Sequence, residues 1–140
     1  MKHTGMIRSL RIAVFVLGVF VPLISTAGQT PASGGVLKVP GRVRGYVGGE
    51  KHDTYRIAVT KGERLEIRVS WRRTDDERAV ATLSANPDFG AGESLASGRW
   101  TRDGRRWIGT IDASGVIYLF VVGNPSAHYT VTIRRARARS

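Results

Sequence analysis

Asp53-Thr54-Tyr55-Arg56-Ile57-Ala58-Val59-Thr60-Lys61-Gly62-Glu63-Arg64-Leu65-Glu66-Ile67-Arg68-Val69-Ser70 decides the fold class. Apolar and polar residues alternate on both sides of Lys61-Gly62. Tyr55, Ile57 and Val59 share one face of the first run, opposite Thr54, Arg56 and Ala58. Leu65, Ile67 and Val69 share one face of the second, opposite Arg64, Glu66 and Arg68. Period two is the mark of a half-buried strand. Two such runs joined by a Gly-containing turn read as a β-hairpin.

The same alternation continues outward in both directions. Upstream, Arg42 to Val47 forms a run with Val43, Gly45 and Val47 on one face, and Gly48-Gly49 ends it. Downstream comes a charged connection, Trp71 to Arg78, and then a strand over Ala79–Ala85 with Val80 or Leu83 as core candidates. Asn86 to Gly98 is a long polar, Gly-rich loop. Arg99–Arg102 and Arg105–Ile111 flank Asp103-Gly104, a strong two-residue hairpin signal. Trp107, Gly109 and Ile111 share a face, with Trp107 in the core. Asp112-Ala113-Ser114-Gly115 is a turn. Val116–Val122 (VIYLFVV) is apolar throughout, so it reads as a central strand buried on both faces. After Gly123-Asn124-Pro125-Ser126, Tyr129, Val131 and Ile133 alternate with Thr130, Thr132 and Arg134 in a last strand. About eight short strands without helical periodicity imply an all-β, antiparallel, jelly-roll-like β-sandwich in a single domain.

The order of these features resembles a known family. Gly45-Tyr46, Asp53-Thr54-Tyr55, Thr60-Lys61-Gly62-Glu63-Arg64-Leu65, Trp107-x-Gly109, Ala113-Ser114-Gly115, the apolar strand and Tyr129-x-Val131-x-Ile133 follow one another as in the bacterial pre-peptidase C-terminal (PPC) type of sandwich. The succession is similar in particular to the periplasmic inhibitors of goose-type lysozyme, over residues 41–134. The resemblance implies a small exported binder whose Ser-Gly-x-Tyr turn enters the lysozyme cleft. Here Ser114-Gly115 stands at that place and the tyrosine follows one residue late, at Tyr118. Ser114, Gly115 and Tyr118 match the Ser-Gly-x-x-Tyr of another inhibitor family, whose disulfide cysteines this chain lacks. Phe120 stands where the goose-type family has an arginine. A displacement of one residue sends a strand side chain to the other face. Tyr118 is therefore either core or carried by a bulge.

The N-terminal end sets the compartment. Lys2, Arg8 and Arg11 precede the apolar run Ile12–Ile24, and Ser25-Thr26-Ala27 supplies a small-x-small site. This pattern is that of a secretory signal peptide over 1–27. The run is shorter than the roughly 20 residues of a spanning helix, so the expected product is periplasmic or secreted, with no stable membrane anchor after cleavage. Residues 28–40 read as a flexible leader and 135–140 as a frayed basic tail. The sequence has 140 residues and no cysteine, so packing without disulfides must hold the domain, and thiol chemistry is excluded. The net charge is +11. Residues 1–27 hold three of the basic residues and none of the acidic ones, so the cleaved chain carries +8. Such a charge favours anionic partners, and export makes nucleic acid the least expected of them.

The residues point to binding rather than catalysis. Asp112, Ser114 and His128 have the residue types of a hydrolytic triad, but the first two suit a turn and no nucleophile elbow is present. Asp75, Asp76 and Glu77 could help bind calcium, yet Arg72, Arg73 and Arg78 flank them and would pair with the acids. Two distant histidines make a weak zinc site. No cofactor is expected. Aromatic and arginine residues on loops suit protein hot spots and sugar stacking. Trp71, read as falling out of the inward register of Val69, borders Arg72; Trp100 lies between Arg99 and Arg102. Tyr46 and Arg106 complete the candidate binding set with Ser114, Gly115 and Tyr118. Three functions fit: an inhibitor of goose-type lysozyme; an envelope module held to anionic glycan or lipid headgroups; and a structural accessory domain for another envelope protein.

Overall fold

The structure is a computed structural model, and it describes residues 34–74, 76–90 and 94–137. The expected signal segment, most of the expected leader, Asp75 and the last three residues of the tail lie outside the described residues.

Nine strands form: β1 (Gly35–Val36), β2 (Gly41–Gly48), β3 (His52–Val59), β4 (Arg64–Trp71), β5 (Ala79–Ser84), β6 (Gly98–Trp100), β7 (Arg106–Thr110), β8 (Gly115–Gly123) and β9 (Ser126–Arg135). They make a four-stranded sheet of order β1-β3-β8-β5 and a five-stranded sheet of order β2-β9-β4-β7-β6. All pairings are antiparallel except β1 with β3. The all-β sandwich expected from the alternation is the fold observed. The additional strand is β1. It lies within the segment read as a flexible leader, and Leu37 behind it is buried. The sandwich therefore takes in the end of that segment.

The hairpin expected over Asp53–Ser70 is corrected. Both runs are strands with the faces expected, but β3 and β4 belong to different sheets. β3 pairs with β8 and β1, whereas β4 pairs with β9 and β7. Tyr55, Ile57 and Val59 meet Leu65, Ile67 and Val69 across the core rather than beside one another, and all six are buried. Alternation alone is identical in the two arrangements, because each turns one apolar face to the same core. Gly62, at φ +89°, lets the chain step from one sheet to the other.

β8 is an inner strand as expected, between β3 and β5. Ile117, Leu119 and Val121 enter the main core. Phe120, on the opposite face, is covered by Phe89 at 5.4 Å between ring centroids, and His52 stacks on Phe89 at 4.5 Å. Phe89, in the loop after β5, thus shields part of the outer face of this sheet. Of the two candidates in β5, Leu83 is core and Val80 is exposed. The Asp103-Gly104 signal does mark a hairpin, that of β6 and β7, with Trp100 opposite Trp107. Its connection is longer than two residues: Thr101 N–H donates to Arg106 O at 2.7 Å, and Gly104 N–H to Thr101 O at 2.8 Å.

Two tyrosines tie the sheets together inside. Tyr129 Oη donates to Asp53 Oδ2, and the Tyr55 and Tyr129 hydroxyls lie 2.6 Å apart. Because the Tyr129 proton faces Asp53, Tyr55 donates to Tyr129. Burial pushes both phenols above their ordinary range, and for Tyr129 the hydrogen bond to Asp53 pushes further the same way. The chain of bonds pairs both phenol hydroxyls where burial would otherwise leave them unsatisfied.

Candidate functional site

The Ser114 turn sits at the end of the sandwich where β3 passes into β4. Asp112, Ala113, Ser114 and Gly115 are all exposed, and Gly115 has φ +147°. The turn is bound to its neighbour rather than loose. Gly62 N–H donates to Ile111 O, Ile111 N–H to Glu63 O, and Lys61 N–H to Ser114 Oγ, each at 2.8 Å. Glu63 in turn accepts from Thr60 N–H and from Arg135 Nε at 2.8 and 2.9 Å. The Thr60 amide, with Arg135 in support, holds its carboxyl below the ordinary range. The result is an exposed tip of Lys61, Asp112, Ala113 and Ser114, braced by two interlocked turns. Ser114 Oγ, exposed at the tip, accepts from Lys61 N–H.

The structure divides the expected site residues among several places. Tyr118 is buried, and β8 keeps regular register with β3 from Gly115 to Val122. No bulge intervenes, so its ring does not join Ser114 and Gly115 at the tip. Trp71 is corrected: it continues the inward register of Val69 and packs half-buried against the core, with the Arg105 guanidinium 3.8 Å from its ring centre. Parity explains this, since positions 69 and 71 of a strand share a face. Trp100 is half-buried against the core, and Trp107 is within it as expected. Arg72 is exposed just beyond β4. Tyr46 stands exposed on β2 at the end of the sandwich away from Ser114, its ring 4.5 Å from that of His128. There it borders an open cleft of about 910 Å³ with Gly48, Glu50, His52, Asp53 and Ser126 on its walls.

The possible triad is not assembled. Ser114 adjoins the Val59 end of β3, while His128 lies opposite Tyr46 by the His52 end. Seven strand residues, roughly 23 Å, separate these ends. His128 Nδ1 lies 3.0 Å from Glu77 Oε1 instead. Among the described residues, no group of three His, Asp or Glu side chains is placed to hold a metal ion.

Arg106 belongs to a cluster that alternation did not reveal. Glu66 is buried on the outward side of β4 with a side-chain exposure of 3%. It accepts hydrogen bonds from Arg68 Nε, from Arg134 Nη2 at 3.0 Å and from Arg106 Nη2 at 3.3 Å. Burial alone would raise its pKa, but the three guanidinium groups outweigh burial and hold it at about 2. The signal was an acid alone among arginines on one outward face. Arg134, expected in the last strand, is fixed by this cluster, and Arg135, read as the start of the frayed tail, ends β9 and is held by Glu63.

A carboxyl with a depressed pKa contributes stability that is complete above its unfolded value, 4.5, and lost as pH falls toward 2. Unfolding free energy should therefore fall between about pH 5 and pH 2. Glu66→Gln should lose about 1–3 kcal/mol at pH 7 and flatten that acid limb. Urea unfolding as a function of pH checks this; an unchanged acid limb in the variant would remove Glu66 as its source.

No protein-family model matches the chain, and no curated protein matches it. Solved structures do. PliG of Aeromonas hydrophila, a periplasmic lysozyme inhibitor of g-type lysozyme, aligns with a TM-score of 0.53 at 17% identity, over 70% of this chain and 95% of its own. The pre-peptidase C-terminal domain of a Bacillus anthracis collagenase aligns with a TM-score of 0.54 at 18% identity, over 76% and 99%. At these identities the likeness is one of fold, and it is the fold that the sequence resemblance implied.

Proposed function

We propose that the protein is an exported, non-enzymatic binder that caps the cleft of a g-type lysozyme with its Ser114-Gly115 turn. The observation that carries this reading is the exposed, braced tip of Lys61 and Asp112–Gly115. A pre-ordered loop loses little entropy on docking. The fold shared with a g-type lysozyme inhibitor supports the choice of partner, and the signal-like start at 1–27 supports a periplasmic location after cleavage following Ala27. Because Tyr118 is buried, the tip acts through Ser114, its backbone amides and Lys61 rather than through a tyrosine ring.

The purified cleaved protein is expected to inhibit a g-type lysozyme in a cell-wall lysis assay, and Ser114→Trp to inhibit at least tenfold less, a loss of about 1.4 kcal/mol. The variant should keep its unfolding transition, since Ser114 is exposed. Absence of inhibition by the parent protein at micromolar concentration would reject the reading.

A further inference from the structure

The two sheets divide the charge unequally. The five strands of the β2-β9-β4-β7-β6 sheet carry eight arginines: two each in β2, β9 and β4, and one each in β7 and β6. Glu66 is the one carboxylate in those five strands, and it is buried beneath Arg68, Arg106 and Arg134. The other sheet has one arginine, Arg56, in its four strands. On the five-stranded sheet, Arg42, Arg44, Arg68, Arg99, Arg106 and Arg134 alternate with inward residues such as Val43, Ile67, Trp107 and Ile133, so all six point outward. One acid cannot neutralise them. Three of the six surround Glu66 yet keep 43–57% of their side-chain surface exposed.

From this face we infer that the outer side of the five-stranded sheet docks on an anionic phospholipid surface. Guanidinium forks suit phosphate oxygens. The arrangement of the arginines favours a surface over a single polymer. They spread over five strands, about 19 Å across, and over several residues along each strand. A linear chain crossing the strands in register would meet at most Arg42, Arg68 and Arg106 in one row. A layer of headgroups meets the whole array. Tyr46 stands 57% exposed on the same outward side of β2, two residues from Arg44. An aromatic ring with a polar tip is suited to the headgroup level. This docking is separate from the Ser114 tip and stands whether or not that tip binds lysozyme.

The test is co-sedimentation of the purified cleaved protein with vesicles of phosphatidylcholine alone or mixed with phosphatidylglycerol, at low and high salt. Binding is expected to the mixed vesicles alone, and to fall at least tenfold at high salt as ions screen the face. Arg42→Glu with Arg44→Glu should weaken it about thirtyfold or more, since each arginine near an anionic surface is worth about a factor of five. Arg42→Gln with Arg44→Gln should show a smaller loss and serves if the double reversal unfolds. Arg73→Glu with Arg102→Glu changes the total charge equally from loops and should cost less than about threefold. Equal binding to both vesicles, equal losses for the face and loop reversals, or no vesicle binding, with or without retention on heparin, would overturn the proposal.

Discussion

Trp107→Ala should lower the unfolding free energy by about 3–5 kcal/mol. Trp107 is 1% exposed, and its indole is a large part of what fills the space between the sheets at β7. It also lies over a pair of facing glycines. Gly98 and Gly109 are directly opposite in the β6–β7 pair, and a carbon placed on Gly98 would stand 2.3 Å from the Trp107 ring. Removing the ring therefore leaves a cavity that these strands cannot fill with side chains of their own. A domain of this kind holds about 5–15 kcal/mol in total, and a chain without cysteine has no cross-link to offset the loss. Urea unfolding followed by far-ultraviolet circular dichroism measures the effect. A loss below about 1 kcal/mol would show that the neighbours collapse onto the site and that Trp107 is not its main support.

Gly109→Val should be nearly as damaging, at about 3 kcal/mol. Valine favours strands in general, so propensity alone would call the change harmless. Space decides the opposite. A carbon on Gly109 would lie 2.5 Å from Gly98 Cα, 2.6 Å from the Trp107 ring and 2.7 Å from Ser97 O. Two of those three neighbours are backbone and cannot rotate away. β6 is the edge strand of its sheet, so the expected response is its detachment, seen as faster amide exchange at Arg99. Combining Gly109→Val with Trp107→Ala should cost less than the two losses added together, by about 1 kcal/mol, because the ring is one of the obstacles. Strict additivity, or a stable Gly109→Val variant, would contradict this packing.

These residues also show what the sequence could and could not reveal. Alternation identified the faces of β3, β4 and β9 correctly because each strand buries one side, and it placed Trp107 in the core. It could not say which strands are neighbours. Lys61-Gly62 links two sheets, and that depends on β8 and β9 supplying partners from far along the chain. Local reading likewise missed β1, a two-residue strand with no period to detect. Trp71 was misplaced because the charged residues after it suggested a loop, whereas its parity with Val69 carried it inward. The turn at Ser114 was legible from its small residues, but its bracing by Lys61 was not, since 53 residues separate them. Glu66 sat in plain view as an outward acid. Its burial follows from Arg106 and Arg134, which strand pairing brings to its sides.

The capping of a lysozyme cleft by the braced tip is tested most directly by amide hydrogen exchange of the cleaved protein with and without an equimolar g-type lysozyme. Slowed exchange is expected in the two interlocked turns, residues 60–63 and 111–116, with the strands of the arginine-bearing sheet unchanged. Exchange unaltered in those turns, or slowed only at other residues, would contradict the account.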